Sequence, residues 1–265
     1  MPERKPAPQP ATPGAPLKIV MMAALPVEVR PFLRQRQVRR RRDLGLPAWE
    51  FKVGEGRGVV ALSGMGWPVA HLAGERLLAR CRPQILLSFG FGGALTPELA
   101  PGTIVLGESF WHYFPETGVL KRVPAPPPPR PLPELIRHIT KSGLSACAGS
   151  LITTPFIINK SRQGGALLRL NHPVLDLETS ALAQVASAHG LSFVSLRAIT
   201  DGATEEIPDF VAEAWKPGKK MGPRTAFTWL AADPRRAKDL LHLRRRSRLA
   251  AQQLAQALNL LLDLL

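Results

Sequence analysis

The chain has 265 residues, 45% of them hydrophobic, and 35 Lys and Arg against 20 Asp and Glu, for a formal charge of +15. That length and apolar content suffice to bury one substantial core, so a single α/β domain with appendages is the default. Cys81 and Cys147 are the only cysteines and stand in no C-x-x-C or His/Cys cluster, which argues against a disulfide framework and a zinc site and fits a reducing cytoplasm.

Residues 1–16 are rich in proline and small residues without periodicity, and read as a disordered tail. Leu17 to Val27 could pass for a short signal-peptide core, but Lys18 interrupts it and Glu28 follows directly, so a buried first strand over Ile19 to Ala24 is expected. No stretch reaches transmembrane length. Trp49 to Val53, Val59 to Leu62, Ile85 to Phe89 and Thr103 to Leu106 follow as strands, with a helix from Val69 to Arg80. The proline block from Pro124 to Pro133 fixes φ and offers few ladder donors, so it reads as a stiff surface loop.

Beyond it come strands around Ser150 to Thr153 and Val174 to Leu177, a helix from Thr179 to His189, and a strand from Phe193 ending at Thr200. Near-continuous apolar runs imply strands buried on both faces, and their alternation with helices implies a central mixed or largely parallel sheet flanked by helices. Phe210 to Leu230, with Trp215, Phe227 and Trp229, suggests a lid or interface segment. From Pro234 onward, leucines spaced among basic residues predict one long amphipathic helix packed on the domain. The expected organisation is thus a tail over 1–16, a domain over 17–232 and a C-terminal helix over 233–265.

Three carboxylates sit where chemistry is expected. Asp201 closes the strand pattern Phe193 to Thr200, at the sheet edge where open parallel sheets bind ligands. Glu178 opens a helical pattern, and Glu28 lies just beyond the first strand. Each has an ordinary structural alternative, as a cap or as a first-turn acid. Ser63-Gly64-Met65-Gly66 and Phe89-Gly90-Phe91-Gly92-Gly93 both read as glycine turns after strands, whose backbone can approach a ligand closely.

Together these stretches resemble the nucleoside phosphorylase and nucleosidase superfamily. Leu177-Glu178-Thr179-Ser180-Ala181 matches its "M-E-x-x-A" stretch, Arg197-Ala198-Ile199-Thr200-Asp201 its "R-A-[IV]-[ST]-D", and Ala24-Leu25-Pro26-Val27-Glu28-Val29 its "A-M-x-x-E-[VM]". The two glycine turns match "S-G-[IM]-G" and "G-x-[AG]-G". Leu177 replaces the usual Met in an apolar wall.

The resemblance implies a nucleoside phosphorylase-like fold that cleaves the N-glycosidic bond of an adenine nucleoside. Asp201 is then the general acid facing the purine, oriented by Thr200, with its pKa raised by burial. Glu178 and Leu177 face the ribose, Glu28 activates water, and Ser63, Gly64 and Gly90 belong to the pocket. Phe156, in Thr153-Thr154-Pro155-Phe156-Ile157, would lie against adenine.

The family's phosphate-binding arginines are replaced here, one by Leu25-Pro26-Val27-Glu28 and the other by Leu87-Ser88-Phe89. That departure favours water as nucleophile and a methylthioadenosine or S-adenosylhomocysteine substrate, with no metal or cofactor. A narrower resemblance, in Asp201 to Phe210 and the basic leucine-rich tail, is to the hopanoid-associated phosphorylase branch, thought to remove adenine from an adenosylated lipid with inorganic phosphate as co-substrate.

The family also implies a homo-oligomer. The basic clusters Arg34, Arg36, Arg39 to Arg42 and Arg235 to Arg248 read first as solvated faces of a cytoplasmic protein, then as a peripheral membrane contact, and least as a nucleic-acid surface. A basic surface binder without catalysis is the alternative of a different class.

Overall fold

The computed structural model describes residues 16–162, 165–208, 211–212 and 236–265. The expected tail and most of the Phe210 to Leu230 segment lie outside the described residues.

Strand β1 (Leu17–Ala23) carries apolar side chains at every inner position, as a strand covered on both faces must. Its period-two alternation sorts them. Ile19 and Met21 face a layer holding α1 (Pro26–Arg34), α3 (Leu132–Thr140) and the C-terminal helix α5 (Arg236–Leu264), where Phe32, Leu135, Leu254, Leu258 and Leu261 are buried. Val20 and Met22 face the opposite layer, where Leu77 of α2 (Trp67–Leu78) and Leu182 and Val185 of α4 (Thr179–Ala188) are buried.

From β1 the sheet runs outward through β4 (Gly56–Leu62) and β3 (Ala48–Val53) to the edge strand β2 (Val38–Arg40). On its other side lies β5 (Ile85–Ala94), which pairs in parallel with both β1 and β10 (Ser192–Asp201). Strand β10 pairs with β6 (Ile104–Phe114), β6 with β8 (Ala146–Thr153), β8 with β9 (Val174–Asp176), and β9 returns to β5. Five strands thus close a ring, and the hairpin strand β7 (Val119–Val123) hangs from β6. The single domain is a mixed α/β fold with helices on both sides of its sheet, as the apolar runs and their alternation predict.

This ring positions the site. β5 matches β1 only from Ile85 to Ser88, then runs on to meet β9 at Gly93 and Ala94. The C-terminal ends of β1 and β10 and the start of α4 after β9 therefore converge around the far half of β5, at the sheet edge where parallel strands leave their helix N-termini.

Of the places where the sequence reading differs from the fold, three have a plain physical reason. Phe89 to Gly93 forms no turn: β5 passes straight through it. The glycines are there for clearance, since a Cβ at Gly90 would lie 2.7 Å from Glu28 Oε1 and one at Gly93 2.7 Å from Asp201 Oδ2. The proline block is not loop to its end, because α3 begins at Leu132 and Pro133 occupies its first turn, where a missing N–H costs nothing. β2 and β7 are edge elements of three and five largely exposed residues, too short and polar for an apolar period to announce.

Helix α5 is part of the main core, because Leu254, Leu258 and Leu261 lie in one apolar cluster with Met21, Leu87 and Leu196. Leu258→Ala is therefore expected to lower unfolding stability by about 2–5 kcal/mol, the range for emptying a closed leucine site. Urea unfolding followed by circular dichroism measures it.

Candidate active site

Glu28, Leu177, Glu178, Thr200 and Asp201 line one pocket, brought together from three separate stretches of chain. Ala24, Leu25, Met65, Phe91, Ile157, Ile158 and Leu175 supply apolar wall, and Ile207, Leu243 and Ser247 close it from the C-terminal side.

Glu28 is buried one turn into α1. Its Oε2 accepts the Leu25 N–H (2.8 Å), which is the structural role expected of an acid at the third helical position. Its Oε1 does more, crossing to β5 to accept the Phe91 N–H (2.9 Å) where glycine at position 90 leaves room. Burial pushes the carboxyl above the usual range, against the pull of those N–H groups and of Arg197.

Glu178 is the residue before α4 but makes no capping bond to that helix. Its Oε1 instead accepts the Gly66 N–H (2.8 Å), tying the pocket wall to the turn before α2. Its pKa is pushed up to about 8, first by burial and then by the charges of Asp176 and Glu28, with the Gly66 bond and Arg197 opposing.

Behind these acids sits a buried ion pair. Arg197 Nε donates to Asp176 Oδ2 (2.8 Å), while Thr153 Oγ1 donates to Asp176 Oδ1 (2.7 Å) and Arg197 Nη2 reaches Ser88 Oγ (2.9 Å). Asp176 is thus held in a structural role, and Ser88, in the Leu87-Ser88-Phe89 stretch before the glycines, is a partner of Arg197. The pair locks β9, β10 and β5 together at the level of the pocket floor.

Asp201 is buried at the end of β10 and accepts a hydrogen bond from Thr200 Oγ1 at Oδ1 (2.7 Å), the orienting contact anticipated from the Thr-Asp order. Sequence reasoning missed its other partner. Lys160, also buried and also lining the pocket, ion-pairs with Asp201 Oδ2. Nothing in Asn159-Lys160-Ser161 distinguishes that lysine from a surface one, and 41 residues separate it from Asp201. Asp201 is therefore one half of a buried ion pair.

Four sequence candidates fall outside the pocket wall. Ser63 turns its hydroxyl to main-chain carbonyls, sharing its proton between Gly64 (2.8 Å) and Ala23 (3.2 Å). Gly64, at φ +85°, makes the turn that brings Met65 to the wall and the Gly66 N–H to Glu178. Gly90 lies beneath Glu28. Phe156 is 39% exposed, and its segment is represented in the wall by Thr154, Ile157 and Ile158. Among the described residues no cluster of three or more His, Cys, Asp or Glu has the geometry of a metal site.

A nucleoside phosphorylase-like fold with three carboxyls at the sheet edge defines a class of enzyme that cleaves N-glycosidic bonds. The family model for the phosphorylase superfamily matches residues 18–219, and the chain belongs to that superfamily. Its fold is shared with 5'-methylthioadenosine/S-adenosyl homocysteine nucleosidase of Helicobacter pylori (TM-score 0.70, 16% identity, 95% of this chain and 100% of that one). Futalosine hydrolase of the same organism (a mutant structure) aligns at TM-score 0.69 and 16% identity over 94% of this chain and 100% of its own. The Neisseria meningitidis 5'-methylthioadenosine/S-adenosylhomocysteine nucleosidase, in complex with methylthio-immucillin-A, aligns at 0.69 and 16% over 94% and 99%.

Proposed function

We propose that this enzyme hydrolyses the N-glycosidic bond of an adenine nucleoside of the methylthioadenosine or S-adenosylhomocysteine type and releases the base. The observation that carries the reading is the convergence of Glu28, Glu178 and Asp201 on one largely apolar pocket. Departure of a purine leaves positive charge on the sugar and negative charge on the base, so the reaction needs anionic stabilisation on one side and a proton on the other.

Glu178 accepts hydrogen bonds from the ribose hydroxyls and offsets the charge on the ring. Asp201 delivers the proton that lets the base leave neutral. Glu28, held by two backbone N–H groups, takes a proton from water as it attacks the anomeric carbon. Its raised pKa makes its carboxylate a stronger base than an exposed one. Three carboxyls held at one pocket have no use in a non-catalytic surface binder.

Water is favoured over phosphate because, among the described residues, the only cation lining the pocket is Lys160, and it is ion-paired with Asp201 and hydrogen-bonded to the Asp201 and Gly202 carbonyls. A second reading, phosphorolysis of an adenosylated lipid, is favoured by one observation. Helix α5 contributes Leu243 and Ser247 to the pocket while exposing Leu241 and Leu249 next to Arg244, Arg245 and Arg248, which suits a bulky apolar 5' group presented at an anionic membrane. Among the described residues no helix is long and apolar enough to cross a membrane.

Release of free base from methylthioadenosine, S-adenosylhomocysteine and a lipid-linked adenosine, each with and without inorganic phosphate, tests both. Hydrolysis predicts turnover of a thioether substrate at a rate that added phosphate leaves unchanged. Strict phosphate dependence would transfer the assignment to phosphorolysis.

A further inference from the structure

We infer that Lys160 is the proton store behind Asp201: the two side chains hold one transferable proton between them, and Lys160 acts on the reaction only through Asp201. The inference rests on the functional reading above and deepens it.

Three observations support it. Lys160 Nζ is ion-paired with the Asp201 carboxylate and donates to the Asp201 and Gly202 carbonyls (3.3 and 2.9 Å), so the ammonium is turned toward the protein and Asp201. The ammonium is buried, and an isolated buried cation is costly, so the pair is held as a unit. The surrounding chain is built to hold it there. Gly93 is bare because a Cβ would lie 2.7 Å from Asp201 Oδ2 and 3.2 Å from Lys160 Nζ, and Glu206 fixes the lysine's backbone by accepting the Lys160 and Ser161 N–H groups (3.0 and 2.8 Å).

The other charges facing the pair come from each neighbouring segment. Glu206 and Glu205 stand on the strap after β10, with Glu205 accepting the Gly202 N–H and ion-paired to Arg246 of α5. Glu28, Asp176 and Glu178 line the same pocket, and Arg197 lies behind Asp176. His242 of α5 acts electrostatically on Glu205.

The proton balance is complete. As the glycosidic bond breaks, its electron pair goes to the base. The Lys160 ammonium gives its proton to Asp201, which passes it to the base nitrogen, so the pair is left as a neutral amine beside a carboxylate. The proton released from the attacking water to Glu28 returns to solvent, and solvent reprotonates Lys160. The pair is neutral before the step, whichever partner holds the proton, so a carboxyl in an ion pair still supplies acid.

The test is the pH profile of kcat for base release in the full chain carrying Lys160→Met or Lys160→Arg. Lys160→Met leaves Asp201 to hold its proton alone, and its high-pH limb is expected to fall at least one pH unit below that of the wild type while activity at acid pH is retained. Lys160→Arg keeps a cation on Asp201, but a guanidinium does not release its proton, so kcat should fall by about 10²-fold or more at every pH with KM little changed. A purely structural lysine would move the melting temperature of both variants and the pH profile of neither, and that result overturns the inference while wild-type turnover stands. Absence of base release by the wild type from any purine nucleoside overturns the functional reading and the role of Lys160 with it.

Discussion

Replacing Asp201 by asparagine is expected to lower kcat for base release by about 10²–10⁴-fold, the span normally lost with a positioned general acid. The change keeps shape and the Thr200 contact but removes the proton. It also leaves the buried Lys160 ammonium unpaired, and stripping one partner from a buried ion pair costs about 3–5 kcal/mol. Loss of activity alone therefore does not separate chemistry from partial unfolding. The double variant Asp201→Asn, Lys160→Met does, because it removes both charges. It should recover much of the melting temperature lost by Asp201→Asn and none of the kcat. Recovery of turnover in the double variant, or unchanged turnover in the single one, would refute the acid assignment. Single-turnover measurements with saturating substrate, beside thermal melts, give both quantities.

That Asp201 and Glu178 share a pocket was legible because strand endings can be read from apolar runs. A buried strand announces itself by its length and β-branched content, and an acid at its C-terminal end in an α/β alternation has few places to point. Glu28 was legible in the same way. The glycines of β5 were visible as a signal but misread as a turn, since a lone sequence shows that a side chain is excluded and not what excludes it. At Gly90 and Gly93 the excluding atoms are the carboxylate oxygens of Glu28 and Asp201.

Lys160 was invisible for a different reason: its importance arises from a contact made across 41 residues of chain, and no local period or composition marks it. The same holds for Leu243 and Ser247, which read as two more positions in a basic helix and turn out to wall the pocket. Phe156 shows the converse. The segment lines the pocket, but the side chain that reaches it depends on how the backbone turns after β8, and the turn presents Ile157 and Ile158.

Glu178→Gln is expected to move stability and turnover in opposite directions. In the free protein the Glu178 pKa is about 8, against 4.5 for the ordinary carboxyl, so the folded state holds a proton that the unfolded chain has released across that whole interval. Where the folded state binds more protons, stability falls as pH rises. The penalty is absent below about pH 4.5, grows through neutrality and is complete above about pH 8. Glutamine does not titrate, and its carbonyl can still accept the Gly66 N–H. The variant should thus match the wild type in melting temperature near pH 4 and exceed it by several degrees at pH 9, on the order of a few kcal/mol. Turnover should go the other way, because a neutral amide does little for positive charge building on the ribose, and a loss of about 10²–10³-fold in kcat is expected. Stability given up at rest for a charge used in the transition state is the signature of a site residue. A melting temperature that is equal in the two proteins at pH 9, or lower in the variant, would place Glu178 among the acids that merely hold the fold.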